Sequence, residues 1–420
     1  MPSLPAIRVV GRLPAGAAFF LQVSIVVAFL AGSSAPTPLY AVYQAEWGFS
    51  PITVTIVFGV YAVAVLAALL TVGSLSDHVG RRPVLLAAIA LQAAAMVVFV
   101  TATGVPELLV GRVVQGLSTG AAVGALGAGI LDLNKEKGTI ANGVGPVMGT
   151  ATGAIGSGLL VQFLPAPTHL VYVVFLVVLV LQGIGVVLMA ESSSPKAGAL
   201  ASLRPRFALP QAVRRPLLVA IPALVAVWAL AGLYGSLGPM LVRLVVGSSS
   251  TVLGGLALFV LAGSGGLTVL LLRNTAPRKV MFVGGAALFA GVGITLLGIG
   301  HTSATAFFVG TATAGVGFGG GFQGALRTVV PLAAPHERAG VLSAIYVASY
   351  LAMGLPAVVA GFLVVHGGGV TATAQGYGVA VMALAALALL GLSRPVRRRQ
   401  PVLRVCPALA DEDDSLARAS

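Results

Sequence analysis

The chain predicts an all-α integral membrane protein of twelve transmembrane helices in two six-helix halves, and three observations carry that expectation. The first is composition: 58% of residues are hydrophobic and 8% charged, with mean hydropathy +1.03, whereas soluble domains carry roughly 25% charge. The second is the recurrence of apolar runs of about 20 residues, long enough to cross a hydrocarbon core of roughly 30 Å as helices. The third is that these runs are uninterrupted, whereas barrel strands alternate polar and apolar over about ten residues.

Read in order, the runs place spans at 15–37, 51–73, 83–103, 107–130, 140–163 and 170–190, then at 216–240, 250–272, 280–300, 304–327, 340–364 and 374–393. The polar stretch 191–215, ESSSPKAGALASLRPRFALPQAVRR, separates them. It divides the chain into a first half (1–190), a linker (191–215), a second half (216–393) and a tail (394–420). The formal net charge of +13 raises nucleic acid as a partner, but the positive residues belong to one membrane face. Of 24 Lys and Arg residues, Arg112 and Arg243 alone fall in the interior of a span or in a loop on the even side. The positive-inside rule makes the charged loops, the linker and both termini cytoplasmic and removes the need for nucleic acid. The lipid bilayer is the partner the composition demands.

Arg8 and Arg12 followed by an apolar run and by Ser33-Ser34-Ala35 mimic a secretory signal. The run exceeds a 7–15-residue signal core and leads into further spans, so cleavage is not expected. The single cysteine, Cys406, excludes an intramolecular disulfide and a cysteine metal cluster. No cofactor and no metal are expected.

The loop GSLSDHVGRRPVLL, from Gly73 to Leu86, lies between spans 2 and 3. Gly73 allows close helix approach at the membrane surface, and Gly80 suits a tight turn that needs positive φ. Asp77, Arg81 and Arg82 form a charge cluster that must stay outside hydrocarbon. Spaced as Gly73, Leu75, Asp77, Gly80, Arg81 and Arg82, the loop resembles the signature between spans 2 and 3 of the major facilitator superfamily. That resemblance implies a transporter of small molecules working by alternating access. Asn274, Pro277, Arg278 and Lys279 fall at the matching place in the second half, a degenerate copy without the carboxylate. The resemblance also implies that Asp77 latches the halves against the N-terminus of span 11, where helix amides favour a carboxylate.

Span 4 opens ELLVGRVVQGLSTGAA. Arg112, Gln115 and Gly116 are similar to the family's second motif, with Ser118 standing where glycine is usual. Arg112 lies on the order of 8 Å inside the span at 1.5 Å per residue. Facing lipid at full depth it would cost roughly 2.5–3.5 kcal/mol. Two readings stand: a cavity residue for coupling or substrate, as the resemblance implies, or a snorkelling residue that sets helix height. Glu107 is the nearest acid at that end, and Asp132 marks the other end of span 4; no acid falls mid-membrane. Both also read as solvated helix-end charges.

Span 5 contains NGVGPVMGT, where Gly145, Pro146 and Gly149 resemble the motif of exporting branches, which shapes span 5 against the other half. Ala141 and Thr150 replace glycines of that motif, and a proline-kinked packing helix is the alternative. Small residues at every fourth position, Ala141 to Ser157 in span 5 and Gly340 to Ala352 in span 11, suit close packing in lipid. By analogy with the family, spans 1, 4, 7 and 10 line the cavity, with Gln22, Ser33, Trp228, Tyr234 and Gln323 as candidates. The glycines of span 10, from Gly315 to Gly324, suit either a bending gate or close packing.

Together these features predict a secondary transporter rather than an enzyme. It would export small organic molecules or drugs in exchange for protons from a plasma membrane. The alternatives are a proton-coupled nutrient importer and a non-transporting sensor or scaffold. No nucleophile, carboxylate pair or GxxxxGK[ST] sequence points to catalysis or ATP use.

Overall fold

The computed structural model describes residues 13–205, 209–334 and 336–393. Arg8, Arg12, Cys406 and the 394–420 tail lie outside the described residues. Helices account for the regular structure, as lipid requires of a chain that must satisfy its backbone groups within each crossing segment. Among the described residues, eleven helices are long and apolar enough to cross a membrane. The chain is a multi-pass membrane protein.

The twelfth span of the pattern, Ala304–Val329, has the length of a crossing helix at 26 residues, but glycine and threonine dilute its hydropathy. Its glycines meet neighbouring backbones. A Cβ on Gly317 would sit 2.6 Å from the Leu288 Cα, and one on Gly324 would sit 2.8 Å from the Met281 nitrogen. Gly319 lies against the carbonyl of Gly265. Side chains at these positions would push span 10 off spans 8 and 9. Of the two readings of this glycine run, close packing has contacts to support it.

Spans 1 and 7 extend furthest beyond where the hydropathy pattern places them. Span 1 is Ala15–Ser34 continued by Pro36–Trp47, together 33 residues. Pro36 does not end it, because proline is tolerated at the first position of a helix and Ala35 keeps helical dihedrals. Span 7 runs Gln211–Val246 and keeps Pro216, Pro222 and Pro239 inside the helix. Gly48 and Gly247 terminate these two helices with φ of 67° and 68°, the left-handed geometry that favours glycine. The remaining spans are Pro51–Val72, Arg81–Val100, Val105–Leu133, Lys135–Phe163 and Pro167–Leu188, then Thr251–Leu271, Pro277–Gly300, Arg338–His366 and Gly369–Ser393.

One apolar core joins residues of spans 1 to 6, from Ala18 to Met189. Two others are built almost entirely from spans 7 to 12. The stretch between them, the 73–80 loop and the loops after spans 4, 8 and 10 share one face, called here the linker face; the opposite side is the far face.

The two groups of six meet chiefly along span 2 with span 11 and span 5 with span 8. A Cβ on Gly59 would lie 3.0 Å from Val358, and Gly361 abuts the Thr55 side chain. Thr37 donates to the Gly235 carbonyl at 2.9 Å. Near the far face the Gln162 Oε1 accepts from Ser250 Oγ at 2.5 Å and from the Val252 amide at 3.2 Å, and Thr251 donates to the Gly158 carbonyl at 3.1 Å. These bonds tie the groups together at the far-face ends of their spans.

Candidate functional site

The 73–82 loop is a knot of charge built around Arg81. Gly80 has φ 103°, which a side chain would strain, and the turn delivers Arg81 and Arg82 to the first turn of span 3. The Arg81 guanidinium pairs with Asp77 and, at 3.4 Å, with Asp132 at the end of span 4; it donates to Ser76 Oγ at 2.7 Å. Glu191, just past span 6, accepts the amides of Arg81 and Arg82 at 2.8 and 2.9 Å. A carboxylate on free helix amides is favoured by charge and by hydrogen bonding. Arg82 reaches back to the Val187 carbonyl. Gly73 fills the role its type suggests, since its carbonyl lies where a Cβ on Gly124 of span 4 would be.

Asp77 is half-exposed, and its partner in this structure is Arg81 of its own loop. Asp132 reads from the sequence as a solvated charge at a helix end, and Glu191 is the first residue of the 191–215 stretch. In the structure both are bound, and Ser192 of the linker also donates to Asp132 at 3.2 Å. The linker continues across this loop, with the Lys196 amide on the His78 carbonyl at 2.7 Å and Ser74 Oγ on the Ser202 carbonyl at 3.2 Å.

Arg112 is fully buried. Its NH1 donates to the Ser33 carbonyl and to Gln115 Oε1, both at 2.8 Å, and its Nε and NH2 donate to the Tyr40 hydroxyl at 3.1 and 2.5 Å. The guanidinium carbon lies 5.6 Å from the Tyr40 ring centre and 5.2 Å from that of Tyr61, distances at which the ring faces attract a cation. Gln115 in turn donates to the Gly32 carbonyl at 3.0 Å. Gly116 lets span 4 close on span 2, where a Cβ would sit 2.7 Å from the Tyr61 carbonyl. Among the described residues no carboxylate pairs with Arg112. Glu107 is not its partner, and its Oε2 is buried without a hydrogen bond. The arginine is thus a charge held by neutral acceptors and ring faces, inside the protein rather than snorkelling to its surface. Tyr40 escaped the hydropathy pattern because it lies beyond residue 37, in the added part of span 1.

The small-residue stripe of span 5 faces span 1, not the other group of six. Gly145 lies 3.3 Å in Cβ terms from Val26, Gly149 2.7 Å from the Val27 carbonyl, and Gly153 directly on the Ala31 backbone. Another face of the helix meets span 8, through Gly143, Met148, Ala154 and Gly158. Pro146 stands inside the helix, and Thr150 donates to its carbonyl at 3.1 Å. Helical spacing explains the outcome, since positions four apart share one face and that face is already taken by span 1.

The cavity candidates separate into two kinds. Gln22 is buried within the first group, its Nε2 on Met189 Sδ at 3.3 Å and its Oε1 against Gly129. Tyr234 is buried within the second, sharing a 2.8 Å hydrogen bond with Thr311 and stacked on Phe307. Both are packing residues in this structure. Gln323 and Trp228 instead lie between the groups. Gln323 faces Gly143 of span 5, and Trp228 gathers Phe318, Phe322 and Tyr350 around it, with Phe58 and Ala62 of span 2 in the adjoining apolar cluster. The three rings around Trp228 come from spans 10 and 11, whose aromatic residues had no spacing to single them out.

Residues 23–355 match the Major Facilitator Superfamily. The chain belongs to that family. No curated protein matches it. The fold of this facilitator is similar to a crystal structure of the nucleoside transporter NupG, with TM-score 0.65 and 12% identity, over 89% of this chain and 97% of that one. Membership places it among transporters with the twelve-helix facilitator fold.

Proposed function

We propose that this facilitator is a secondary active transporter that exports small organic molecules in exchange for protons, working by alternating access from a plasma membrane with both termini cytoplasmic. The observation that carries the reading is the unequal closure of the two faces. Hydrogen bonds between the two groups of six gather at the far face, through Thr37, Gln162 and Thr251, while Asp77 on the linker face bonds within its own loop. Groups bonded to each other at one end, with a half-exposed carboxylate at the other, are what one end state of an alternating cycle would present. Asp77 would complete the opposite state by capping span 11, which begins at Arg338.

Arg112 supplies the second part. Its partners are neutral, so a substrate carboxylate that displaced them would be its first counter-charge, and competition between that group and protons for the same charge is a route to antiport. The export direction rests on the Gly145, Pro146 and Gly149 motif, which packs on span 1. Import of a small nutrient with protons is the second reading, because the fold, shared with the nucleoside transporter NupG, does not by itself set direction or cargo.

Accumulation of labelled metabolites and drugs in cells with and without the protein tests direction. Lower internal label with the protein present supports export, and higher label supports import. Unchanged label across a broad panel, with insertion confirmed, removes the transporter reading.

A further inference from the structure

Trp228 stands midway along the 36-residue span 7, between the two groups of six. Its ring centre lies 5.3 Å from Phe322, 5.4 Å from Tyr350 and 6.3 Å from Phe318. All four side chains keep partial exposure in the interior of a membrane protein, where packing residues such as Tyr234 have none to spare. The indole Nε1 of Trp228 is buried with no hydrogen-bond partner. Leaving such a donor unmade is costly, so a group that accepts from it when the rings part gains that bond in full.

We propose that this aromatic basin is a cargo subsite for a flat, uncharged, conjugated ring carrying a hydrogen-bond acceptor, which takes the Trp228 N–H. The inference rests on the transporter reading and names the cargo class of its cavity. The four rings already pair edge-on or tilted, so a flat guest would enter as they part and replace those contacts with its own offset or edge contacts. The faces of the four rings would hold a cation, but two features oppose one. Between 216 and 393 the only acid is Glu337, at the linker-face start of span 11, and Arg112 places a fixed positive charge in the neighbouring group of six. A cationic centre itself has no lone pair to accept the orphan N–H. The ring acceptor is what separates this subsite from a greasy crevice.

Three probes of one shape separate the possibilities: quinoline has a ring-nitrogen acceptor and is neutral, naphthalene lacks the acceptor, and N-methylquinolinium is a permanent cation without one. Trp228 is one of two tryptophans, the other being Trp47 near the far face. The full chain carrying 5-fluorotryptophan in lipid nanodiscs therefore gives two fluorine resonances, assigned by the Trp47→Phe variant. Quinoline should move the Trp228 resonance saturably and leave Trp47 in place. Naphthalene should bind more weakly and N-methylquinolinium not at all.

Trp228→Phe keeps a ring and loses the N–H. By displacement of bound labelled quinoline it should weaken affinity by about tenfold. Trp47→Phe, near the far face and outside the basin, should leave it unchanged. A Trp228 resonance that ignores quinoline, or answers equally to N-methylquinolinium, overturns the proposal, as does unchanged affinity in Trp228→Phe. The readout needs no turnover. A transporter that carries its cargo elsewhere would move label with Trp228 silent, and a chain that moves nothing would still show the resonance shift.

Discussion

The loop after span 2 and the loop after span 8 occupy matching places, yet among the described residues the bonds that hold their arginines differ in chemistry. In the first, Arg81 is gripped by the carboxylates of Asp77 and Asp132, and Glu191 caps the helix that follows. In the second, Arg327 donates to the carbonyls of Leu272 and Thr275 at 3.2 and 2.8 Å, and Arg278 donates to that of Leu392. One device is shared: Arg82 and Arg278 each reach the last turn of the sixth span of their group, where helix carbonyls favour a cation. A carbonyl belongs to its helix end and stays there. A carboxylate can rotate to a new partner or take up a proton, so the first loop has the chemistry of a moving part and the second that of a fixed one.

The contrast continues inside the membrane, where the first group buries Arg112 and the second presents the rings around Trp228. The largest effect is expected there. Arg112→Ala strips the donor from Tyr40, Gln115 and the Ser33 carbonyl, and each buried group left unpaired costs about 1–3 kcal/mol. Transport in proteoliposomes should fall by more than about tenfold. Arg112→Lys keeps the charge without the planar fork and should disturb proton–substrate stoichiometry more than insertion. Normal stoichiometry in both variants would make Arg112 a structural residue and erase the division of roles between the groups.

Next in size is Asp77→Asn, which should cut turnover several-fold while expression and insertion hold. The companion variant Asn274→Asp places a carboxylate at the matching position of the second loop and should not rescue it. Wild-type turnover in Asp77→Asn, or rescue by Asn274→Asp, would show that the two loops are interchangeable.

Glu191→Gln replaces a charged acceptor on two helix amides by a neutral one. By analogy with helix caps it should cost about 1 kcal/mol, seen as a lower melting temperature in detergent. Turnover should change less than in Asp77→Asn, since Glu191 braces the loop and Asp77 is the part proposed to move. The smallest effect belongs to Arg278→Lys. Lysine also carries positive charge to the Leu392 carbonyl, so stability should shift by no more than about 0.5 kcal/mol in the same assay. A larger loss would mean that the second loop depends on guanidinium geometry as the first does.

What the amino-acid pattern determined was everything that depends on local hydropathy and local spacing. The helical class, the Gly80 turn and the charged character of the 73–82 loop all follow from residues adjacent in the chain. The pattern located Arg112 and required it to avoid lipid, because a charge in hydrocarbon is expensive wherever it sits. Span ends were less legible. Proline looks like a break whether it opens a helical segment, as Pro36 does, or stands inside one, as Pro216 and Pro239 do, and so the ends of spans 1 and 7 and the partner Tyr40 were hidden.

Only the tertiary structure decided which face of each helix meets which neighbour. It turned the Gly145–Gly149–Gly153 stripe toward span 1, buried Gln22 and Tyr234 within their own groups, brought Glu191 across to span 3 and assembled the rings of spans 7, 10 and 11. The physical reason is the solvent. In water an apolar stripe marks the buried face of a helix, but lipid is as apolar as the interior, so hydropathy marks none and packing shape and hydrogen bonds choose instead.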